Sequence, residues 1–384
     1  MVRLVRQGLS PRQVARKARV SLSNVQRWLA RAKDDPLDEV DWSNRPCGAP
    51  RPTKRVKARV EQRVLSVRRR LKTQSDLGEY GAAAIQRELL RWEEREVPSL
   101  RTIGRILERG GALDGRRRVR HKAPPPGWYL PKVAAKRAEL DSFDFIEDLV
   151  IRGGHDVNVW TGISLHGGLC AAAPTERMTA KFTVECRLAH GREFGLPAYA
   201  KFDNGTVFHG THRWPDTFGR VTRLCLSLAV TPVFAPPLSR GFQADIEAFH
   251  RRWEDAVWSR FTFRQRADLT EQSTRFVAAH RERYAVRIED GPARRAFPST
   301  WRLDLQRPLQ GTVIYLRITN EAGAATVLGR SYPVSDVWCH RLVRVEVDLT
   351  QQQLRFYALR RKEPLRHNLL ATHTYKPPKT RFCD

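Results

Sequence analysis

Three acidic blocks hold the residues whose types and spacing suit catalysis. In Asp141-Ser-Phe-Asp144-Phe-Ile-Glu-Asp148-Leu-Val-Ile151, carboxylates interrupt a strand-like apolar run. A carboxylate in such a run is costly unless it meets solvent, a partner or a metal ion. In Tyr199-Ala-Lys-Phe-Asp203-Asn204-Gly205-Thr-Val-Phe208, a short strand runs into an Asp-Asn-Gly turn, which presents the Asp203 carboxylate at the strand's C-terminal edge. In Phe242-Gln-Ala-Asp245-Ile246-Glu247-Ala-Phe249-His250-Arg251-Arg252-Trp253, residues Ile246, Phe249 and Trp253 share one helical face with Glu247 beside it. The chemistry open to such a set is the binding of hard divalent cations by carboxylate oxygen.

Positioning these acids requires a mixed α/β core. Short apolar runs of β character lie near 143–151, 157–165 and 168–173, with helical stretches near 176–190 and 215–230. Val230-Thr-Pro-Val-Phe-Ala235 reads as a further strand, and a long helix is expected at about 241–260. After about 290 alternation dominates: in Val343-Arg-Val-Glu-Val-Asp-Leu349 every second residue is apolar, and Leu354, Phe356 and Ala358 repeat the pattern. The C-terminal hundred residues are therefore expected to form a small β-barrel.

The first 40 residues predict a helix-turn-helix. Ser10-Pro11-Arg12-Gln13 is a capping box with proline at the first helical position, and Ser21 begins a second helix. Ser23, Asn24, Gln26, Arg27 and Arg31 on that helix are candidates for contacts to bases and phosphates. Trp28 is expected to anchor the core. Arg19 stands at the turn position where glycine is usual, and a left-handed conformation there costs about 1–2 kcal/mol. The motif begins so close to Met1 that either its first helix is short or the true start lies upstream. Residues 54–113 predict a second helical unit, in which Ser99 caps a helix carrying Arg101 and Arg105. Between it and the core, 114–137 form a linker that opens with Arg116-Arg117-Arg118 and continues through Pro124-Pro125-Pro126. Proline makes it stiff, and the arginines can follow phosphates. The expected division is 1–40, 54–113, 114–137, a core at 138–290 and a β-rich domain at 291–384.

Composition narrows the partner. Among 384 residues Lys and Arg number 69 and Asp and Glu 41, a net charge of +28 that points to an acidic polymer, nucleic acid before anionic membrane. Arginine far outnumbers lysine, which suits bidentate phosphate contacts. Apolar residues at 41% exclude global disorder, and no run of 18 apolar residues exists to span a membrane. Six scattered cysteines with no Cys-x-x-Cys pair argue against a disulfide framework or zinc ribbon, and His209, His212 and His250 lack the companions of a zinc site. The expectation is a reduced, intracellular, soluble chain of the cytoplasm.

The blocks Asp144-Phe-Ile-Glu-Asp, Phe-Asp203-Asn-Gly-x-x-Phe and Ile-Glu247-Ala-Phe-His-Arg resemble the signatures of DDE transposases, and within them the integrase-core transposases of bacterial insertion sequences, relatives of retroviral integrases. The resemblance is strong over roughly 138–260 and extends to the whole chain by domain order. It implies an RNase H-like core, Asp144, Asp203 and Glu247 as catalytic metal ligands, and Mg²⁺ or Mn²⁺ as cofactor in two ions. It further implies double-stranded DNA as partner, both terminal repeats and target, with assembly of several copies on DNA. Two-metal phosphodiester chemistry places the ions about 3.5–4 Å apart, one activating the attacking oxygen and one stabilising the leaving oxygen.

The sequence departs from that pattern in three places. The 43 residues between Asp203 and Glu247 are more than usual, with an inserted loop expected at 209–216. The region Trp160-Thr161-Gly-Ile-Ser-Leu-His166 stands where related transposases often carry Asp and Ser-Arg, and Glu254 stands where a basic residue is common, leaving Arg251 or Arg252 to supply that charge. Asp141 remains an alternative to Asp144 as the first ligand. Two other functions stay open: a catalytically inactive, transposase-derived regulator or relic, and a metal-dependent nuclease with no strand-transfer step.

Overall fold

A computed structural model describes residues 1–43, 56–94, 96–113, 125–210, 216–237, 241–361, 363 and 365–377. The backbone divides into two compact units, Met1–Ala58 and Arg59–Asp384.

The first unit contains α1 (Val2–Arg6), α2 (Pro11–Ala18) and α3 (Leu22–Ala32). The capping box forms as its residues dictate: Gln13 N–H donates to Ser10 Oγ at 3.3 Å and Ser10 N–H to Gln13 Oε1 at 2.9 Å. Arg19 takes the left-handed conformation, φ 52° and ψ 42°, between α2 and α3. Val14 and Val25 are wholly buried where the helices meet, with Leu4 and Leu29 against them. Trp28 is not the anchor expected of it. It stays half-buried, with Trp42 at 5.7 Å and Arg27 and Arg31 over its ring, because its position lies beside the Val14–Val25 seam rather than on it.

The second unit begins with α4 (Ala58–Gln74), α5 (Ala82–Arg91) and α6 (Leu100–Arg109). Val64, Val67, Ile85, Leu89, Ile103, Ile106 and Leu107 form their buried seam. These helices belong to the compact body of the core: Arg260 donates to the carbonyls of Thr73 and Ser75, Arg275 pairs with Asp76 at 3.2 Å, and Leu77 packs into a core cluster.

After the short α7 (Pro131–Ala134) the core runs β1 (Leu140–Ile151), β2 (His155–Ser164), β3 (Cys170–Thr175), α8 (Ala180–Phe194), β4 (Tyr199–Phe202), α9 (Thr206–His209), α10 (Arg220–Ser227) and β5 (Thr231–Phe234). Next come α11 (Ala244–Trp253), a π-helical turn (Glu254–Trp258), α12 (Arg266–Arg283) and α13 (Ala285–Glu289). The C-terminal part is β6 (Thr312–Ile318), β7 (Ala324–Val327), β8 (Arg330–Pro333), β9 (Leu342–Asp348), β10 (Gln353–Ala358) and β11 (Leu369–Thr374). Mixed α/β architecture is thus what forms. Strands β1–β3 are an antiparallel meander, and β4 and β5 lie parallel to β1.

The small C-terminal barrel is corrected. Among the described residues, β6, β9, β10 and β11 extend the core sheet into one of nine strands, ordered β11-β10-β9-β6-β5-β4-β1-β2-β3, while β7 and β8 make a separate hairpin. The junction is parallel pairing of β5 with β6, Val233 opposite Ile314 and Phe234 opposite Tyr315. Alternation in these strands reports one covered face and is the same for a barrel wall and a sheet extension. One apolar cluster runs from Phe143, Trp160 and Phe202 through Phe234 and Tyr315 to Val345 and Phe356. On the other face Ile146 and Val159 meet Ile246, Phe249 and Trp253 of α11 and Phe276 of α12.

Candidate active site

Strand β1 sorts its acids by parity. Asp144 and Ile146 share the face that meets α11, while Asp141 and Phe143 point to the face that meets α8, since side chains alternate along a strand. Asp141 is 1% exposed, and Arg294 grips it with two bonds, Nη1 to Oδ1 at 2.9 Å and Nη2 to Oδ2 at 2.7 Å. Ser164 Oγ donates to Oδ1 at 2.8 Å. The guanidinium holds the Asp141 carboxyl below its ordinary range against the opposing effect of burial. Asp141 is therefore committed to an ion pair, and Asp144 is the acid of β1 that meets the other two blocks.

Asp144 has the opposite environment. Burial, the charge of Asp203, and then those of Glu147 and Glu247 push its carboxyl up to about 7. Its Oδ1 accepts from Phe145 N–H at 2.9 Å. Asp203 follows β4 directly, and burial raises its carboxyl as well. Gly205 N–H donates to Asp203 Oδ1 at 2.9 Å, closing the turn at the start of α9. A β-carbon at Gly205 would stand 3.0 Å from that same oxygen, a tight approach that glycine avoids. Glu247 lies exposed in the first turn of α11. Three sequence-distant acids are thus brought within electrostatic reach. They stop short of ligation: among the described residues no group of three His, Cys, Asp or Glu side chains is arranged to hold a metal ion. The donor set nevertheless fits a hard divalent cation, because it is all carboxylate and its mutual repulsion is what such a cation relieves.

Five residues support the acids, and of these Lys201, Arg317 and Arg294 were not singled out from sequence. Thr161 lies opposite Asp144 on β2 and donates to the Asp144 carbonyl at 2.9 Å. Having used its proton there, Thr161 Oγ1 accepts from His250 Nε2 at 2.7 Å, which fixes that ring nitrogen as the protonated one. Burial holds His250 down at about 4, so it is neutral at pH 7. Lys201, wholly buried two residues before Asp203, donates to the Phe242 carbonyl at 2.7 Å and Tyr129 Oη at 3.2 Å, tying β4 to the lead-in of α11. Arg317 of β6 donates to Asn204 Oδ1 at 3.0 Å and the Ala235 carbonyl at 3.3 Å, so the sheet extension braces the Asp-Asn-Gly turn. Arg294, which grips Asp141, is the fifth. Lysine and arginine are too common in this chain for single positions to stand out before their partners are known.

A cleft of about 570 Å³ adjoins this turn, lined by Asn204, Asp216, Arg317, Asn320 and Thr326 among others. Of the expected 209–216 insertion, 211–215 lie outside the described residues; Asp216 pairs with Arg330 at 2.6 Å.

The candidate DNA contacts divide. On α3, Ser23, Gln26 and Arg27 are exposed, and Arg27 donates to Asn24 Oδ1 at 2.7 Å. Arg31 is half-buried and paired with Asp41 at 3.0 Å. On α6, Arg101 and Arg105 are exposed. Arg116, Arg117 and Arg118 lie outside the described residues. Among the described residues no helix is long and apolar enough to cross a membrane.

No family model matches the chain, and no curated protein does. Among solved structures it is similar to the catalytic core domain of BIV integrase, at 20% identity over 37% of this chain and 81% of that one, with a TM-score of 0.28. It is similar to a chain of the simian T-cell lymphotropic virus intasome in complex with PP2A regulatory subunit B56 gamma, at 12% identity over 69% and 84% of the two chains and a TM-score of 0.32. A third is the HTLV-2 integrase catalytic core domain in complex with magnesium, in dimeric form, at 10% identity over 40% and 86% and a TM-score of 0.27. Likeness at this level assigns no residue a role.

Proposed function

We propose that the chain is a DNA transposase of the integrase-core type, cutting DNA strands and joining the ends to a target. The observation that carries this reading is the convergence of Asp144, Asp203 and Glu247 from a strand, a turn and a helix, with Asp144 raised by its acidic neighbours. The strand order β3-β2-β1-β4-β5 fits the RNase H-like core that the sequence resemblance implies. Magnesium or manganese, held by these three carboxylates, would supply Lewis-acid activation of the attacking oxygen and stabilisation of the leaving one.

The chain's own residues then have defined tasks. Asp144 presents oxygen from β1, Asp203 from the turn that follows the parallel strand β4, and Glu247 from α11. Thr161 and neutral His250 hold the backbone of Asp144 against α11. Lys201 fixes the start of that helix against β4, and Arg317 fixes Asn204. Basic residues supply DNA affinity: Ser23, Asn24, Gln26, Arg27 and Arg31 on α3, Arg101 and Arg105 on α6, and Arg116–Arg118 of the basic sequence that follows. Arg27 donates to Asn24 Oδ1, so the two side chains are held together on α3. Several copies would gather on paired ends.

The test is incubation of the purified chain with Mn²⁺ and labelled duplex carrying the element's terminal repeats, beside Asp203→Asn and Glu247→Gln. The expected result is nicked and joined product that falls on the order of 10³-fold in both variants. Nicks with no joined product would identify a nuclease instead. The departures from the family pattern around Thr161 and at Glu254 favour one other reading, a DNA-binding relic without catalysis. Sequence-specific binding with no cleavage in any form would establish that reading and overturn ours.

A further inference from the structure

About three residues along β2 from Thr161, a distance of roughly 10 Å at the rise of a strand, lies a second cavity. Its volume is about 150 Å³, and a single water needs only roughly 10–15 Å³ of such space. The lining includes Ser164, Asp245, Arg252, His280, Tyr284 and Arg287.

Its polar groups are set for an anion. His280 is 2% exposed, and neither ring nitrogen has a hydrogen-bond partner, although such groups are nearly always paired when buried. The ring is held by Phe249, Phe276 and Tyr284, the last at 4.5 Å. Arg252 donates to the Ala248 carbonyl at 3.1 Å and to Tyr284 Oη at 3.5 Å; among the described residues it pairs with no carboxylate. Nor does Arg287, whose guanidinium is anchored on the carbonyls of Leu165 and His166. That turn is itself fixed, because Glu139 accepts from the backbone N–H groups of His166 and Gly167. The neighbouring Arg281 and Arg283 face Glu193 and Glu79 at 3.6 and 3.8 Å. Asp245, the acid in the lining, has its Oδ2 3.8 Å from Lys201 Nζ, so its charge is opposed by a buried ammonium.

We propose that this cavity is a phosphate-binding site, with the guanidinium groups of Arg252 and Arg287, the Tyr284 hydroxyl and one ring N–H of His280 as donors. Two guanidinium groups around a tetrahedral oxyanion give the charge-assisted contacts for which arginine is suited. The phosphate comes either from the terminal monoester of a DNA strand or from the free ion. The site stands on its own geometry and does not depend on the transposase reading.

The experiment follows the His280 ring in the full chain, labelled with ¹⁵N-histidine, as inorganic phosphate is titrated at ionic strength matched with chloride and without divalent metal. The expected result is a saturable shift of the His280 resonances. Arg252→Met should weaken it about tenfold or more, whereas Arg264→Met, which removes an exposed arginine outside the lining, should leave it unchanged. His280→Phe keeps the aromatic packing and should weaken phosphate binding read by calorimetry. In a second arm, a duplex with 5′-phosphate that shifts His280 beside a 5′-hydroxyl duplex that does not identifies a strand end as the source. A shift by phosphate and by neither duplex identifies the free ion. No saturable shift, or equal weakening in Arg252→Met and Arg264→Met, overturns the site. Because nicking is not measured, loss of the transposase reading and loss of this site are told apart.

Discussion

Asp141 and Asp144 sit three residues apart on one strand and have opposite fates. Asp141 is enclosed by Arg294, Ser164 and, at 3.9 Å, the neutral ring of His190. Asp144 is surrounded by other acids. The odd spacing sends the two side chains to opposite faces, one toward a structural counter-ion and the other toward α11. Burial acts on both in the same direction, so the neighbours decide. A paired acid supports the fold, whereas a crowded acid is tolerated by the fold and is available for chemistry.

The largest expected contrast is in stability. Asp141→Asn leaves the Arg294 guanidinium buried without its partner and should cost about 3–5 kcal/mol in urea denaturation. Asp144→Asn in metal-free buffer at pH 8 should leave stability unchanged or raise it, since it removes one of several repelling charges. Equal losses in the two variants would break the comparison.

The same pair predicts a pH dependence. The folded-state pKa of Asp141 lies below its unfolded value of about 3.9. Its contribution is therefore complete above that value and is lost as pH falls through the folded pKa. Near pH 7 Arg294 is charged and His190, lowered to about 3 by burial, is neutral; Glu139, raised by burial, is the nearby acid. The stability gap between the wild type and Asp141→Asn should hold from pH 7 to about 4 and then shrink with further acid. A gap that instead closes near pH 6 would place the effect on another group.

A smaller effect is expected at Lys201, the buried cation on the acidic side of the comparison. Lys201→Met keeps the volume but leaves the Phe242 carbonyl without its donor, costing about 1–3 kcal/mol. Its effect on nicking should exceed that of an equally destabilising change outside the site, because the bond sets the entry to α11. The smallest effects come from the two hydroxyls of β2. Ser164→Ala and Thr161→Val each remove hydrogen bonds worth about 1 kcal/mol. Only Thr161→Val should also lower nicking, since Thr161 alone links Asp144 to His250.

Much of this arrangement is legible in local residue types. The Asp-Asn-Gly turn, the apolar face of α11 and the strand periods of β1, β2 and β5 follow from local residue types, and these elements form where their patterns place them. The choice between Asp141 and Asp144 did not follow, because the counter-ion Arg294 lies 153 positions away. Long-range pairing also explains the C-terminal strands. Nothing in the alternation of β9 or β10 reports that β6 will pair with β5. Capping and periodicity mark helices within 54–113, but their docking on the core depends on Arg260 and Arg275, which read only as two more arginines.

The β5–β6 junction has a consequence for synthesis. Until the last seventy or so residues emerge, β5 is an outer strand with the unsatisfied backbone of an edge, and its Val233-Phe234 segment is apolar. Unpaired apolar edges recruit strands from other chains. A product ending before Thr312 should therefore aggregate rather than yield a free core domain. The nascent chain would need protection until its C-terminal strands arrive, because pairings so far apart in sequence form slowly.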